Sequence, residues 1–298
     1  MNILFHCGVG NTDRPARWNA ICSFFSDLAR SLEALDNHNC LIYCHPAAVS
    51  KDIYKQHIIS STVNKIEFVP DIIFTWNGIS DGDQQMISLY GRDRFIFAEL
   101  GFFDHYNTCY FDRSGTNYTS MSLVENLSSN DIDYNLYEKI KSLYVKPRLF
   151  DKRYVFVPLQ DESDTQITKL SPFKTMYELL DYVLCLYNFD SDIKILYKQH
   201  PRKPSRVPIH NKLVSVSEDV HHYLPYADSV IGINSTVLFE TLLYHQRLLT
   251  VGIGVASRRF NSDAARVNFI NTCHKRQLRL TDLSKPDVIK RSWLYKNL

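Results

Sequence analysis

The chain has 298 residues, of which 45% are hydrophobic and 22% charged, and its formal net charge is +2. That length exceeds one small core and suits two domains of ordinary size, and the composition is that of a globular protein rather than a fibrous or disordered one. The small net charge gives no overall pull toward nucleic acid, and no basic stripe interleaved with aromatic residues appears, so no nucleic-acid partner is expected.

The opening residues, Met1 to His6, read as a short strand and not as a signal peptide, because they have no basic start and no long apolar stretch. No run approaches the roughly 20 apolar residues that span a bilayer. A cytoplasmic protein with at most peripheral membrane contact is expected. Cysteines stand at positions 7, 22, 40, 44, 109, 185 and 273 without a CxxC pair, which predicts reduced thiols. Cys40 and Cys44 bracket a strand-like Leu-Ile-Tyr and give only a weak metal signal.

In chain order, a strand over 3–5, a turn containing Gly8 and Gly10 that runs to Asp13, and a helical pattern over 15–35 make the opening of a Rossmann-type unit. The glycines do not complete a GxGxxG, so a dinucleotide fingerprint is weakly supported and a loop near a sugar fits equally well. Strands are predicted over 40–44, 71–76 and 94–101, with a helix over 84–90 between the last two. Residues 102–120 read as a long functional loop at a sheet edge. A helix over 131–144 follows, and Val145-Lys146-Pro147-Arg148 reads as a linker. The domain boundary is placed near residue 150.

The second half opens on the apolar run Tyr154 to Val157, closed by Pro158 and followed by Gln160, Asp161, Glu162 and Asp164. A helix over 175–187 leads to a strand over 193–198, and then directly to Gln199-His200-Pro201-Arg202. A short strand over 213–216, a short helix over 220–226 and a strand over 229–233 come next. Asn234-Ser235-Thr236 stands where a helix over 237–245 begins, and a strand over 248–251 follows. The basic, weakly patterned last thirty residues fit either a helix returning to the first domain or a surface segment. Strands alternating with helices predict an α/β fold of two Rossmann-type domains with mostly parallel sheets, residues 1–150 and 151–298.

In open α/β sheets the C-terminal strand ends face the ligand crevice. Three such ends carry polar groups here. Gln160 to Asp164 fits a set of site residues or a solvated loop of acids. Lys198, His200 and Arg202 form a compact positive cluster suited to a phosphate. Ser235 and Thr236 can cap the following helix, and a helix start also receives anions. Glu240 lies in an apolar helical run, where a carboxylate without a partner is costly, and it could accept hydrogen bonds from ribose hydroxyls.

The ordered set Val157-Pro158-Leu159-Gln160-x-x-x-Asp164, Lys198-x-His200-Pro201 and Asn234-Ser235-Thr236-Val237-x-Phe239-Glu240-x-Leu242-Leu243 resembles the bacterial capsule polysaccharide biosynthesis family of retaining β-Kdo glycosyltransferases. Glu99-Leu100-Gly101-Phe102, with Gly115-x-Asn117, is similar to that family's Glu-x-Gly segment. The resemblance implies a GT-B-like fold whose second domain binds a CMP-Kdo donor, with no cofactor required. It implies Asp164 as nucleophile and Glu99 as acid/base. His200, Ser235 and Thr236 would lie at the donor phosphate and Glu240 at the ribose, with Lys198 assisting, and Gln160, Pro201, Arg202 and Asn234 completing the site. The neighbouring Asp161 and Glu162 leave the choice of nucleophile open. The motifs contain no Asp-x-Asp triplet, which argues against a metal-chelated diphosphate donor. The implied acceptor is a lipid-linked bacterial surface glycan at the inner face of the inner membrane. The His-Pro and Ser/Thr pieces also resemble bacterial sialyltransferases, and a nucleotide-binding module without chemistry is the other alternative.

Overall fold

The structure is a computed structural model that describes residues 1–7, 15–44, 55–58, 68–120, 132–244 and 247–298. The Gly8–Asp13 turn expected from the sequence lies outside the described residues. In chain order the elements are β1 (Asn2–His6), α1 (Pro15–Asp36), β2 (Asn39–Cys44), β3 (Gln56–Ile58), β4 (Ile72–Trp76), α2 (Asp81–Tyr90), β5 (Phe95–Leu100), β6 (Thr108–Asp112) and α3 (Tyr134–Ser142). There follow β7 (Tyr154–Pro158), α4 (Thr165–Leu170), α5 (Met176–Leu186), β8 (Lys194–Lys198), β9 (Leu213–Val216), β10 (Ser229–Gly232), α6 (Thr236–Thr241), β11 (Leu248–Thr250), α7 (Asp263–Arg276), β12 (Leu278–Arg279), α8 (Pro286–Arg291) and α9 (Trp293–Lys296).

The chain divides into two compact units, Met1–Asn126 with Cys273–Leu298, and Leu127–Thr272. In the first, the sheet order is β12-β6-β5-β4-β1-β2-β3. Strands β1 to β5 are parallel, while β6 and β12 add antiparallel pairs at one edge. Apolar runs such as Ile3-Leu4-Phe5 and Ile72-Ile73-Phe74 are buried throughout, as a parallel sheet covered on both faces requires. Helix α1 presents Ile21, Phe24, Phe25, Leu28 and Leu32 at helical spacing to Phe5, Phe74 and Ile96. The Phe5 and Phe74 rings stack with centroids 4.9 Å apart.

The second unit holds the all-parallel sheet β11-β10-β7-β8-β9. Both sheets are doubly wound: the first strand of each lies beside its second on one side and its fourth on the other. The chain order therefore reverses between β1 and β4, and between β7 and β10, and that is where such sheets open a ligand crevice.

Two expectations change. Residues 102–120 are not one irregular loop. After a turn with Asp104 at φ 52, the chain doubles back as the buried strand β6, antiparallel to β5, with Glu99 opposite Tyr110. The boundary also falls at residue 126 rather than near 150. Tyr137 of α3 donates its hydroxyl proton to Leu243 O at 2.7 Å and lies under the Arg266 guanidinium, so α3 belongs to the second unit. Residues 145–148 lie inside that unit too, with Lys146 Nζ on Asp219 at 2.7 Å and Tyr226 donating to Lys146 O.

Of the two readings of the tail, the return to the first unit holds. Leu283, Ile289 and Leu294 join the first core, and Ser31 donates to Leu283 O. Gln277 accepts from the buried Phe102 and Phe103 amides with Oε1, both at 3.1 Å, and donates to Phe103 O with Nε2. Gln277→Ala strands those two amides, so unfolding by urea is expected to show a loss of about 1–3 kcal/mol for each unmet donor.

Candidate functional site

The crevice end of the second sheet is closed by a side-chain pair. Gln160, just past β7, donates Nε2–H to Asn234 Oδ1 at 2.9 Å, and the Asn234 amide returns a bond to Gln160 Oε1 at 3.2 Å. Asn234 Nδ2 donates onward to Gln166 O and Ile253 O. A Cβ on Gly254 would stand 2.8 Å from Asn234 Cβ, so that position admits only glycine without displacement. These two residues serve as stays between neighbouring strand ends.

The acids that follow Gln160 are all engaged. Asp161 Oδ1 accepts from the Ser163 amide and hydroxyl and lies 3.3 Å from Lys203 Nζ. Burial opposes ionisation of Asp161, but the Ser163 bonds and Lys203 overcome it and hold the carboxyl down at about 2. Glu162 accepts from Met176 N at 2.8 Å, at the start of α5. Asp164 caps α4 by accepting from Gln166 N at 2.9 Å, and its side chain is exposed. Asp161 thus remains an anion throughout the physiological range, while Asp164 is the accessible carboxylate of the capped turn.

The next strand end turns toward this loop. His200 feels the charges of Asp161 and Asp164, and Lys203 Nζ bonds Ser163 Oγ at 3.0 Å. Burial, reinforced by Arg202, lowers the His200 imidazole below its ordinary value. Its Nδ1 is buried and has no hydrogen-bond partner among the described residues. Pro201 and Arg202 are exposed in the turn. Lys198 does not join this cluster: its ammonium donates to Ser217 O and Glu218 O, toward β9. The strand ends β8, β7 and β10 are neighbours in the sheet, so the three polar segments read from sequence do converge.

On the third segment, Ser235 is the N-cap of α6 and accepts from Val237 N, and Thr236 opens the helix. Glu240 is not solvent-facing, since its side chain keeps only 14% exposure, with Oε2 3.5 Å from His221 Nε2. Burial, and behind it the charge of Asp219, pushes the Glu240 carboxyl up to about 8. Burial pushes the His221 imidazole down to about 4. His221 and its partner Tyr244 escaped the sequence reading. The one available signal was the His-His pair at 221–222, and it does not point to Glu240.

In the first unit, Glu99 is the penultimate residue of β5, with Oε1 accepting from Leu100 N. Opposite it, Tyr110 accepts from Asn117 N at 2.8 Å, so the Glu-x-Gly and Gly-x-Asn segments meet. The sequence reading also missed a buried triad at the other crevice. Asp83 accepts from His6 Nδ1 at 3.1 Å and from Thr75 through Oδ1, and from the Ser80 amide and hydroxyl through Oδ2. A histidine closing the first strand was its only sequence trace.

Three Asp-x-Asp triplets occur outside the motifs, at 81/83, 131/133 and 190/192. Asp83 is committed as above, Asp131 lies outside the described residues, and Asp190 accepts from Asp192 N and pairs with Arg153. No cluster of three His, Cys, Asp or Glu side chains suited to a metal occurs among the described residues. None of the seven cysteines is joined in a disulfide, and only Cys185 is exposed.

Two doubly wound units of this kind define the GT-B class. Among solved structures, the β-Kdo 2,7 transferase of Thermosulfurimonas dismutans KpsC is similar in fold, with a TM-score of 0.56, 16% identity, and coverage of 97% of this chain and 99% of that one. The β-Kdo 2,4 transferase of the same KpsC gives a TM-score of 0.53 at 13% identity, covering 82% of this chain and 87% of that one. In sequence, protein FixF of Sinorhizobium fredii is 33% identical over 105 residues, a match spanning 33% of this chain and 26% of that protein. No protein-family profile matches the chain.

Because the Glu240 carboxyl titrates above its ordinary 4.5, its proton favours the folded state fully below that pH. The contribution is lost as pH rises through about 8. Thermal unfolding at a series of pH values should therefore show Glu240→Gln gaining on the wild type steadily across that window, with the two alike in acid.

Proposed function

We propose that the chain is a glycosyltransferase module that transfers Kdo from CMP-Kdo to a bacterial surface glycan, of capsule or O-antigen type, with retention of configuration. The observation that carries this reading is the convergence of His200, the Gln160–Asp164 loop and Ser235–Glu240 on three adjacent strand ends. The fold likeness to β-Kdo transferase structures over nearly the whole chain supports it. A lipid-linked acceptor at the inner face of the inner membrane belongs to the same proposal. Among the described residues no helix is long and apolar enough to cross a membrane.

In this scheme Asp164 attacks the anomeric carbon of Kdo, and the bond to the CMP phosphate breaks. The phosphate departs toward the unpartnered His200 nitrogen and the Ser235–Thr236 helix start, where donors meet the charge that develops. Glu99 then takes the proton of the acceptor hydroxyl, which displaces Asp164 from the Kdo ester. Two displacements at one carbon return the original configuration. Lys198 would assist only by leaving the two backbone carbonyls that hold its ammonium. No metal is needed for these steps.

The test is turnover with CMP-Kdo generated in situ and a panel of short acceptor glycans. Wild type should transfer Kdo. Asp164→Asn should lose transfer while keeping CMP affinity, and Asp161→Asn should keep it. Glu99→Gln should slow transfer by roughly 10²–10⁴-fold, the usual worth of a positioned acid/base. A Kdo–protein adduct found by mass spectrometry on Asp164 supports the covalent step, and one on Asp161 moves the nucleophile there. Turnover only with another CMP sugar, such as a sialic acid donor, discards Kdo. CMP binding with no transfer to any acceptor leaves a nucleotide-binding module.

A further inference from the structure

We propose that Tyr244, His221 and Glu240 form a relay that presents the Glu240 carboxylate to a vicinal diol of the nucleotide, with His221 as its positioning residue, and that docking of the diol drives one proton out of the relay into solution. This rests on the reading of Glu240 as the residue that takes the ribose hydroxyls.

Glu240 and Tyr244 are four residues apart, at the end of α6 and just beyond it, a spacing that brings side chains to one side of a helical turn. His221 comes from the turn Val220–His222 and lies between them. Its Nδ1 is 2.8 Å from the Tyr244 hydroxyl, and its Nε2 faces Glu240 Oε2 at 3.5 Å. The ring is fixed on its remaining sides: the Tyr144 ring packs at 4.8 Å, and the His221 amide donates to Asp219 Oδ1 at 2.9 Å.

The relay requires one tautomer. Burial, with the charge of Glu240 behind it, raises the Tyr244 phenol above its ordinary value, so this hydroxyl keeps its proton, and in the relay it gives a hydrogen bond to Nδ1. The imidazole proton is then on Nε2, the nitrogen that faces the carboxylate. At 3.5 Å the contact is long for a hydrogen bond, and contacts of this kind tighten when a ligand fills the site.

The other charged groups around the relay are mutually engaged. Asp219 is paired with Lys146, His222 Nδ1 is bonded to Pro147 O, and Tyr226 donates to Lys146 O. Glu240 pairs with no Lys or Arg among the described residues. A buried carboxyl without a fixed cation keeps its proton. A carboxylate accepts from both hydroxyls of a diol at once, whereas the acid form accepts from one and must donate to the other; in the relay the diol takes the carboxylate form. The proton then leaves, and the buried neutral His221 does not retain it. The exchange breaks no other bond: acid and diol become carboxylate–diol pair and a proton taken by buffer.

The experiment is calorimetric titration of the whole chain with CMP and with its deoxyribose counterpart, in buffers of contrasting ionisation enthalpy. It runs between about pH 7 and about pH 9, above the nucleotide phosphate's own second ionisation near 6. Wild type should release roughly one proton per CMP at the lower pH, and its affinity should climb up to about tenfold per pH unit. The deoxyribose nucleotide should bind more weakly and without proton release. Glu240→Gln should abolish the pH dependence, and Tyr244→Phe should move it to higher pH by freeing the tautomer. CMP binding without proton release, or a Tyr244→Phe profile that matches wild type, overturns the relay and leaves the donor reading intact. Equal affinity for the two nucleotides overturns Glu240 as the diol residue. Absence of CMP binding overturns the donor reading and the relay with it.

Discussion

The Gln160–Asn234 pair holds two parallel strands together at the one place where a doubly wound sheet tends to part. Strands β7 and β10 are paired over only two residues, Ser229 with Val155 and Val230 with Phe156. Past that point no backbone pairing joins them among the described residues. A reciprocal amide pair bridges the gap with two bonds and leaves neither side chain with an unmet group at the bridge. The side-chain Nδ2 of Asn234 then fixes the chain at Gln166 O and Ile253 O. Two of the three candidate donor-binding segments are placed relative to this bridge: the acid loop starts at its Gln end, and α6 starts at its Asn end.

The same economy governs the carboxylates. Each acid of the loop also serves the backbone, for Asp161 closes its own turn, Glu162 receives the first amide of α5 and Asp164 caps α4. A cap fixes the rotamer of the side chain, so capping and chemistry are compatible on one carboxylate. Environment separates the acids more sharply than sequence does. Asp161 is held as an anion by hydrogen bonds and a lysine, and Glu240 is held neutral by burial, although both belong to segments that follow neighbouring strands of one sheet.

What could be read from the sequence follows the physics of parallel sheets. The run Tyr154 to Val157 is apolar throughout because both faces of its strand are covered, and it was legible with its polar end. Strand β6 was not, because Thr108 to Asp112 carries polar residues at both ends and sits among turn residues, though all five are buried. The tie between Glu240, His221 and Tyr244 joins side chains up to 23 positions apart and has no local periodicity. The unit boundary was hidden for the same reason. The tail is tied to β6 by a two-residue strand and to the first core by scattered side chains such as Leu283 and Gln277.

That returning tail has a consequence for synthesis on the ribosome. The second unit is one continuous segment, Leu127–Thr272, whereas the first is assembled from both sides of it. Domains ordinarily complete in the order in which they emerge, N-terminal first. Here the N-terminal sheet cannot gain β12 or the packing of Leu283, Ile289 and Leu294 until the whole intervening unit has left the exit tunnel. The later-made unit can thus finish first, and the earlier-made one must wait with part of its apolar face uncovered, which makes the nascent chain a natural client for a chaperone.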